Sequence, residues 1–239
     1  ELASVGAAAA TARWAAAAAR VRANRLYGGL QLSPQTGLLP LGADPRTGLE
    51  EFAHLQSGAT PLRTADGALS FDASSGVVLV LVPGGSFWMG AAPLDAHNDD
   101  PLAEAINEGP VHEVRLAPFL IAKFECTQSQ WQRVTGTNPS VHSAISIHVD
   151  DDRAPLHPVE SVDWWQARAV LQRLGLELPT EAQWEYATRA GTTSPWYCGG
   201  AVTDLLRPPA GNLADRSSAA ALGAQGWAPT QGLDDGFVM

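Results

Sequence analysis

The chain has 239 residues, an apolar share of 45 % and a formal net charge of −10, enough for one sizeable domain with an extension. So acidic a chain repels phosphate backbones, which argues against nucleic acid as a partner. Two cysteines, Cys126 and Cys198, without a C-x-x-C or Cys/His cluster, exclude a disulfide framework or zinc module and leave the compartment unstated.

Glycine and proline number 23 and 17, above the ~12 % usual for the two together. That excess predicts a loop-rich fold rather than a helical bundle. No apolar run reaches the length of a membrane span.

In chain order, "VGAAAATARWAAAAARVRANR" is a run of strong helix formers with Trp14 as its main apolar contact. It lacks a cationic leader ahead of an apolar stretch, so it does not read as a secretory signal. We expect a linker helix over residues 1–28, and the initial Glu1 points to sequence before it. The next stretch, residues 29–70, is rich in Gly and Pro turns and reads as an irregular lead-in. Within and just after it, "DGALSFDASSG" reads as a hairpin or turn. The main domain is expected over residues 71–239. "VVLVLV", Val77 to Val82, is a β-branched run that predicts a buried strand. "PGG" should turn the chain so that "SFWMG" pairs back as a hairpin.

An acidic stretch follows. Asp95, His97, Asp99, Asp100 and Glu104 do not match the spacing of a calcium loop, so a solvated loop is the better reading. "VHEVRL" alternates as a half-buried strand, and "FLIAKFEC" continues the sheet. "HVDDDR", His148 to Arg153, reads as a second solvated loop.

Three short helices then share one grammar: a capping Thr or Asp, a Gln three residues on, and a Gly beyond the end. The sets are Thr127, Gln130 and Gly136; Asp163, Gln166 and Gly175; Thr180, Gln183 and Gly191. In the second, Trp164, Ala167, Leu171 and Leu174 share a face expected to meet the core. In the third, Trp184 and Tyr186 are expected to anchor a helix too short to stand alone. No internal repeat is visible, and the architecture expected is α+β.

The ordered set "LVPGGSFWMG", "EGPVHEVRLAPFLIAKFECTQSQW", "HPVESVDWWQARAVLQRLGLELPTEAQWEYATRAG" and "PWYCGG" resembles the formylglycine-generating enzyme (sulfatase-modifying factor) family over residues 77–239. The resemblance implies an irregular, C-type-lectin-like domain with few antiparallel strands, short helices and long ordered loops. "YGGLQLSPQTGLLPLGADPRTGLEEFAHLQSG" resembles segments preceding such domains in bacterial proteins, where a serine/threonine kinase domain is often attached. Kinase signatures are absent here, so such a domain would lie before Glu1.

The family's enzymes oxidise a cysteine of a target peptide to formylglycine, using dioxygen and copper held by two thiolates, soft ligands suited to Cu(I). The resemblance places that pair after an "RGGSW"-like motif that residues 1–239 do not contain. The domain is therefore expected to be incomplete at its C-terminal end and silent on its own. Cys126 reads as a small core residue and Cys198 as a turn residue, and neither takes a catalytic role. The resemblance also implies a structural calcium held by the Asn212 side chain, the Leu213 carbonyl, the Asp235 side chain and the Phe237 carbonyl; the bland alternative is a pair of ordinary turns. His112 and His157 read as structural hydrogen-bonders, and no histidine spacing supports an iron site. Two functions follow from the resemblance: a peptide-cysteine oxidase, or a non-catalytic ligand-binding or sensory module.

Overall fold

A computed structural model describes residues 2–90, 109–143, 153–194, 196–200 and 204–205, with side chains from residue 7 onward. These residues form two compact units, residues 1–85 with 116–179, and residues 86–115 with 180–239. Among them no helix is long and apolar enough to cross a membrane. Antiparallel strands and short helices make the α+β architecture that was expected.

The first unit is built on a four-stranded antiparallel sheet. Its strands are β1 (Leu38–Ala43), β2 (Glu50–His54), β5 (Val78–Val82) and β8 (Phe119–Ala122), in the spatial order β1-β2-β5-β8. The stretch read from sequence as irregular thus supplies half of this sheet. Its Gly and Pro residues sit between and within the strands rather than excluding them. Pro40 occupies an edge strand, where a missing N–H is tolerated. A bulge separates Pro40 from Gly42, which adopts φ +97°.

Helix α1 (Leu2–Ala23) covers the sheet. Trp14, Ala17 and Val21 fall at helical spacing and are its buried face. Trp14 meets Phe52 of β2 with ring centroids 5.4 Å apart, and both belong to a core with Val21, Tyr27, Val77, Leu79 and Leu81. Tyr27, in a 3-10 turn after α1, donates its hydroxyl to the Leu81 carbonyl at 2.7 Å, which satisfies the one polar group that its burial brings inward. A small hairpin, β3 (Leu62–Arg63) with β4 (Leu69–Ser70), confirms the turn expected at Asp66-Gly67.

β6 (Gly85–Met89) does not pair back on β5. It pairs with β7 (His112–Leu116) in a separate two-stranded sheet. The reason is occupancy: β2 and β8 already fill both edges of β5. Gly84 marks the divergence, since a Cβ there would lie 2.4 Å from the Leu116 carbonyl oxygen.

Three capped helices follow: α2 (Gln128–Thr135), α3 (Trp164–Arg173) and α4 (Glu181–Arg189). Each carries the full capping box expected: Thr127 with Gln130, Asp163 with Gln166, Thr180 with Gln183. Their exits differ. Gly136 is the left-handed cap of α2, but Ala190 (φ 47°) takes that conformation in α4, one residue ahead of Gly191. In α3 the buried residues are Val170 and Leu174, whereas Trp164 is exposed and stacks edge-on against Trp165. Trp184 is likewise exposed among the described residues, so Tyr186, packed on Phe87 at 5.3 Å, is the anchor of α4.

Because α4 is short and has no fully buried residue, its start depends strongly on its cap. Thr180→Ala removes the acceptor for the Gln183 N–H and should cost about 1 kcal/mol. A shifted urea midpoint with unchanged slope would be the expected readout.

Candidate functional site

The residues implied as calcium ligands, Asn212, Leu213, Asp235 and Phe237, lie outside the described residues. So do Asp95, His97, Asp99, Asp100 and Glu104 of the acidic stretch, and His148 of the second loop. Among the described residues no group of three or more His, Cys, Asp or Glu side chains is placed to hold a metal ion.

Both cysteines are free and half-buried. Cys126 ends the segment that follows β8, immediately before the α2 cap. Its carbonyl accepts from the Val159 N–H at 2.8 Å, and its thiol lies 3.8 Å from the Thr127 carbonyl oxygen. Burial pushes this thiol up from its ordinary pKa. Cys198 lies in the tight turn between Trp196 and Gly199, in the other compact unit. Cys126 is half-buried at the junction between β8 and α2 and stands outside the buried core cluster, so it only partly matches the small core residue expected.

In the second unit, α4 holds the residue that follows β6. Glu185 and Arg189 are an i,i+4 ion pair at 2.7 Å. Glu185 accepts from the Gly90 N–H at 2.9 Å, and Arg189 donates to the Gly90 carbonyl at 3.1 Å. One side-chain fork thus satisfies both backbone groups of the residue that follows β6. The i,i+4 spacing is readable in "WEYATR", but its target, 95 positions away, is not. This fork fixes the backbone of Gly90.

A charged cluster in the first unit was also missed by the sequence reading. Glu51 is fully buried and accepts from Arg63 at 2.6 Å and from the Lys123 ammonium. Lys123 also pairs with Asp44 at 2.6 Å. The Lys123 hydrogen bond holds the Asp44 carboxyl well below the usual carboxylate range, against the opposing effect of burial. Burial alone would lower Lys123, but its bonds to Asp44 and Glu51 outweigh that and raise it. Arg63 further donates to the Leu41 and Gly42 carbonyls, covering part of the outer edge of β1. All four groups neutralise one another, so the cluster holds the fold together and leaves no charge for a substrate.

Two described histidines, His112 and His54, differ in their surroundings. His112 shares a hydrogen bond with the Pro110 carbonyl at 3.0 Å, as expected for a structural group. His54 is buried, and its Nδ1 has no hydrogen-bond partner. Burial pushes it below the ordinary imidazole pKa, opposed by the Leu174 carbonyl.

Against known proteins, the model of the "Sulfatase-modifying factor enzyme 1-like domain" matches residues 69–231. A formylglycine-generating enzyme of Thermomonospora curvata is 29 % identical over 164 residues, covering 49 % of this chain and 52 % of that protein. One from Streptomyces coelicolor is 31 % identical over 170 residues, covering 54 % and 51 %. The serine/threonine-protein kinase pkn1 of Chlamydia caviae is 30 % identical over 157 residues, covering 59 % of this chain but only 22 % of the kinase. The chain spans about half the length of the formylglycine-generating enzymes that it matches.

Proposed function

Since the chain belongs to the sulfatase-modifying factor family, whose domain matches residues 69–231, we propose that it is the framework of a formylglycine-generating oxidase acting on a cysteine-containing peptide. The observation that supports this reading is its similarity, at 29 % and 31 % identity, to two proteins with that activity in their names. When bound, copper would supply the activation of dioxygen. The resemblance assigns copper to a pair of thiolates after an "RGGSW"-like motif, which residues 1–239 do not contain.

The test uses the full-length protein, loaded with copper under reducing conditions and given a Cys-x-Pro-x-Arg peptide. The expected product is an aldehyde-bearing peptide, seen by mass spectrometry. Unchanged peptide would favour the second reading, a non-catalytic ligand-binding or sensory module. That reading is supported by the similarity to the serine/threonine-protein kinase pkn1. A kinase domain attached ahead of this chain would be its signalling partner.

We further propose a structural calcium ion held by the side chains of Asn212 and Asp235 and the carbonyls of Leu213 and Phe237. The support is chemical: an amide, a carboxylate and two backbone oxygens form a hard donor set. A bound ion stabilises the folded state by mass action. A chelator should therefore lower the Tm by several degrees, with each kcal/mol worth roughly 2–4 °C in a chain of this size. Asp235→Asn should abolish that calcium-dependent difference. An unchanged melting curve on chelation would refute the site.

A further inference from the structure

Every residue lining one groove of the first unit lies outside the segment that matches the family domain. The groove, about 570 Å³, runs between α1 and the edge of β1 and is closed on its far side by the Thr60–Arg63 segment. Its apolar lining is Ala16, Leu39, Leu41, Pro61 and Leu62, of which Leu62 is exposed. Its charged lining residues are all cationic, namely Arg13, Arg20 and Arg63. That runs against the net charge of −10 of the whole chain.

The three arginines are not equivalent. Arg63 is consumed by Glu51 and by the Leu41, Gly42 and Gly67 carbonyls. Arg20 spends Nε and Nη2 on buried Glu50, leaving Nη1 without an acceptor among the described residues on a side chain 44 % exposed. Arg13 is exposed and has no ion-pair partner among the described residues. Arg13, Ala16 and Arg20 form one stripe of α1, and the two guanidinium groups are seven residues apart, about 10.5 Å along the axis. Ala16 between them lets another backbone approach closely.

We propose that this groove docks an acidic amphipathic helix from a partner protein. Carboxylates at positions i and i+7 of that helix meet Arg13 and Arg20, and the apolar residues between them enter over Leu41 and Leu62. A helix fits better than an added strand. Pro40 offers no N–H, and Arg63 already occupies the Leu41 and Gly42 carbonyls, so the edge of β1 has little backbone to share. An anionic membrane is disfavoured because the apolar groups line a concave floor and the chain as a whole is acidic. A free phosphate would make no use of that floor.

The experiment measures anisotropy of a labelled helical peptide of Ala, Leu and Glu, with Glu at seven-residue spacing and Leu between. Its Gln-for-Glu counterpart is the control, and the 239-residue chain is the titrant. Saturable binding of the Glu peptide, weakened by salt and absent for the Gln peptide, is expected. Arg13→Glu should weaken it about tenfold, and Leu62→Ser should weaken it less. Both positions are exposed, and unchanged thermal melts would show that neither variant acts through unfolding. No binding, or binding indifferent to Arg13→Glu, overturns the proposal. So does Arg13-dependent binding to vesicles of anionic lipid without binding to the peptide, which would assign the groove to a membrane surface instead.

Discussion

Trp14→Ala should lower the unfolding free energy by about 3–5 kcal/mol, the range for removing a buried aromatic side chain from a packed core. Trp14 is 7 % exposed and stacks on Phe52, itself 1 % exposed at the centre of the first unit. Truncation would open a cavity that Val21, Leu81 and the Leu30–Leu32 segment line but cannot fill, because each already has its own place in the same cluster. Urea unfolding followed by far-UV circular dichroism is the direct measurement. A loss under 1 kcal/mol would mean that α1 is only loosely seated and that the sheet is stable without it. Phe52→Ala provides the comparison: it removes the partner ring from the other side, and the two losses should fall short of additive because they share one contact.

That expectation rests on a part of the molecule that pattern reading describes poorly. The capping boxes of α2, α3 and α4 were legible because each is a local device, closed within four residues. β5 was legible because a run of β-branched residues buried on both faces has few other uses. β1 and β2 were not, because Pro40, Gly42 and Gly48 are turn formers whose tolerance depends on an edge position and a bulge that sequence does not reveal. Pairing of β6 with β7 was hidden for a related reason: local spacing favours a hairpin, and only the occupancy of both edges of β5 forbids it. Exposed Trp164 shows the same limit from the other side, since helical spacing identifies a face but not what covers it.

The candidate site divides similarly. The spacing of Glu185 and Arg189 could be read, but their shared target, Gly90, is set by tertiary structure. Cys126 reads as a core residue from its neighbours, but it is only half-buried, because what covers a side chain at a strand-to-helix junction is set by tertiary structure. No local pattern announces the Asp44–Lys123–Glu51–Arg63 cluster, whose members are up to 79 positions apart.

Glu51→Gln should therefore destabilise the chain strongly, by about 3–5 kcal/mol, the range for breaking a buried ion pair from one side. Glu51 has no exposed side-chain surface and is shared by Lys123 and Arg63, which keep 24 % exposure each. The amide retains the shape but not the charge, leaving two cations with Asp44 as their nearest remaining carboxylate. Exposed pairs elsewhere, such as His142 with Glu160 at 3.6 Å, should contribute well under 1 kcal/mol by comparison. A pH series adds an independent check. Asp44 is held below its unfolded value, near 3.9, so its contribution is fully present above about pH 4 and is lost as pH falls further. Burial also holds His54 below the ordinary imidazole value, near 6.5, so its contribution is present above that pH and declines on acidification. Stability should thus fall in two stages, first below about pH 6.5 and then below about pH 4. His54→Gln should remove the first stage and leave the second, whereas Asp44→Asn should remove the second alone. A single acid transition unaffected by either change would show that these two groups do not set the acid limit of the fold.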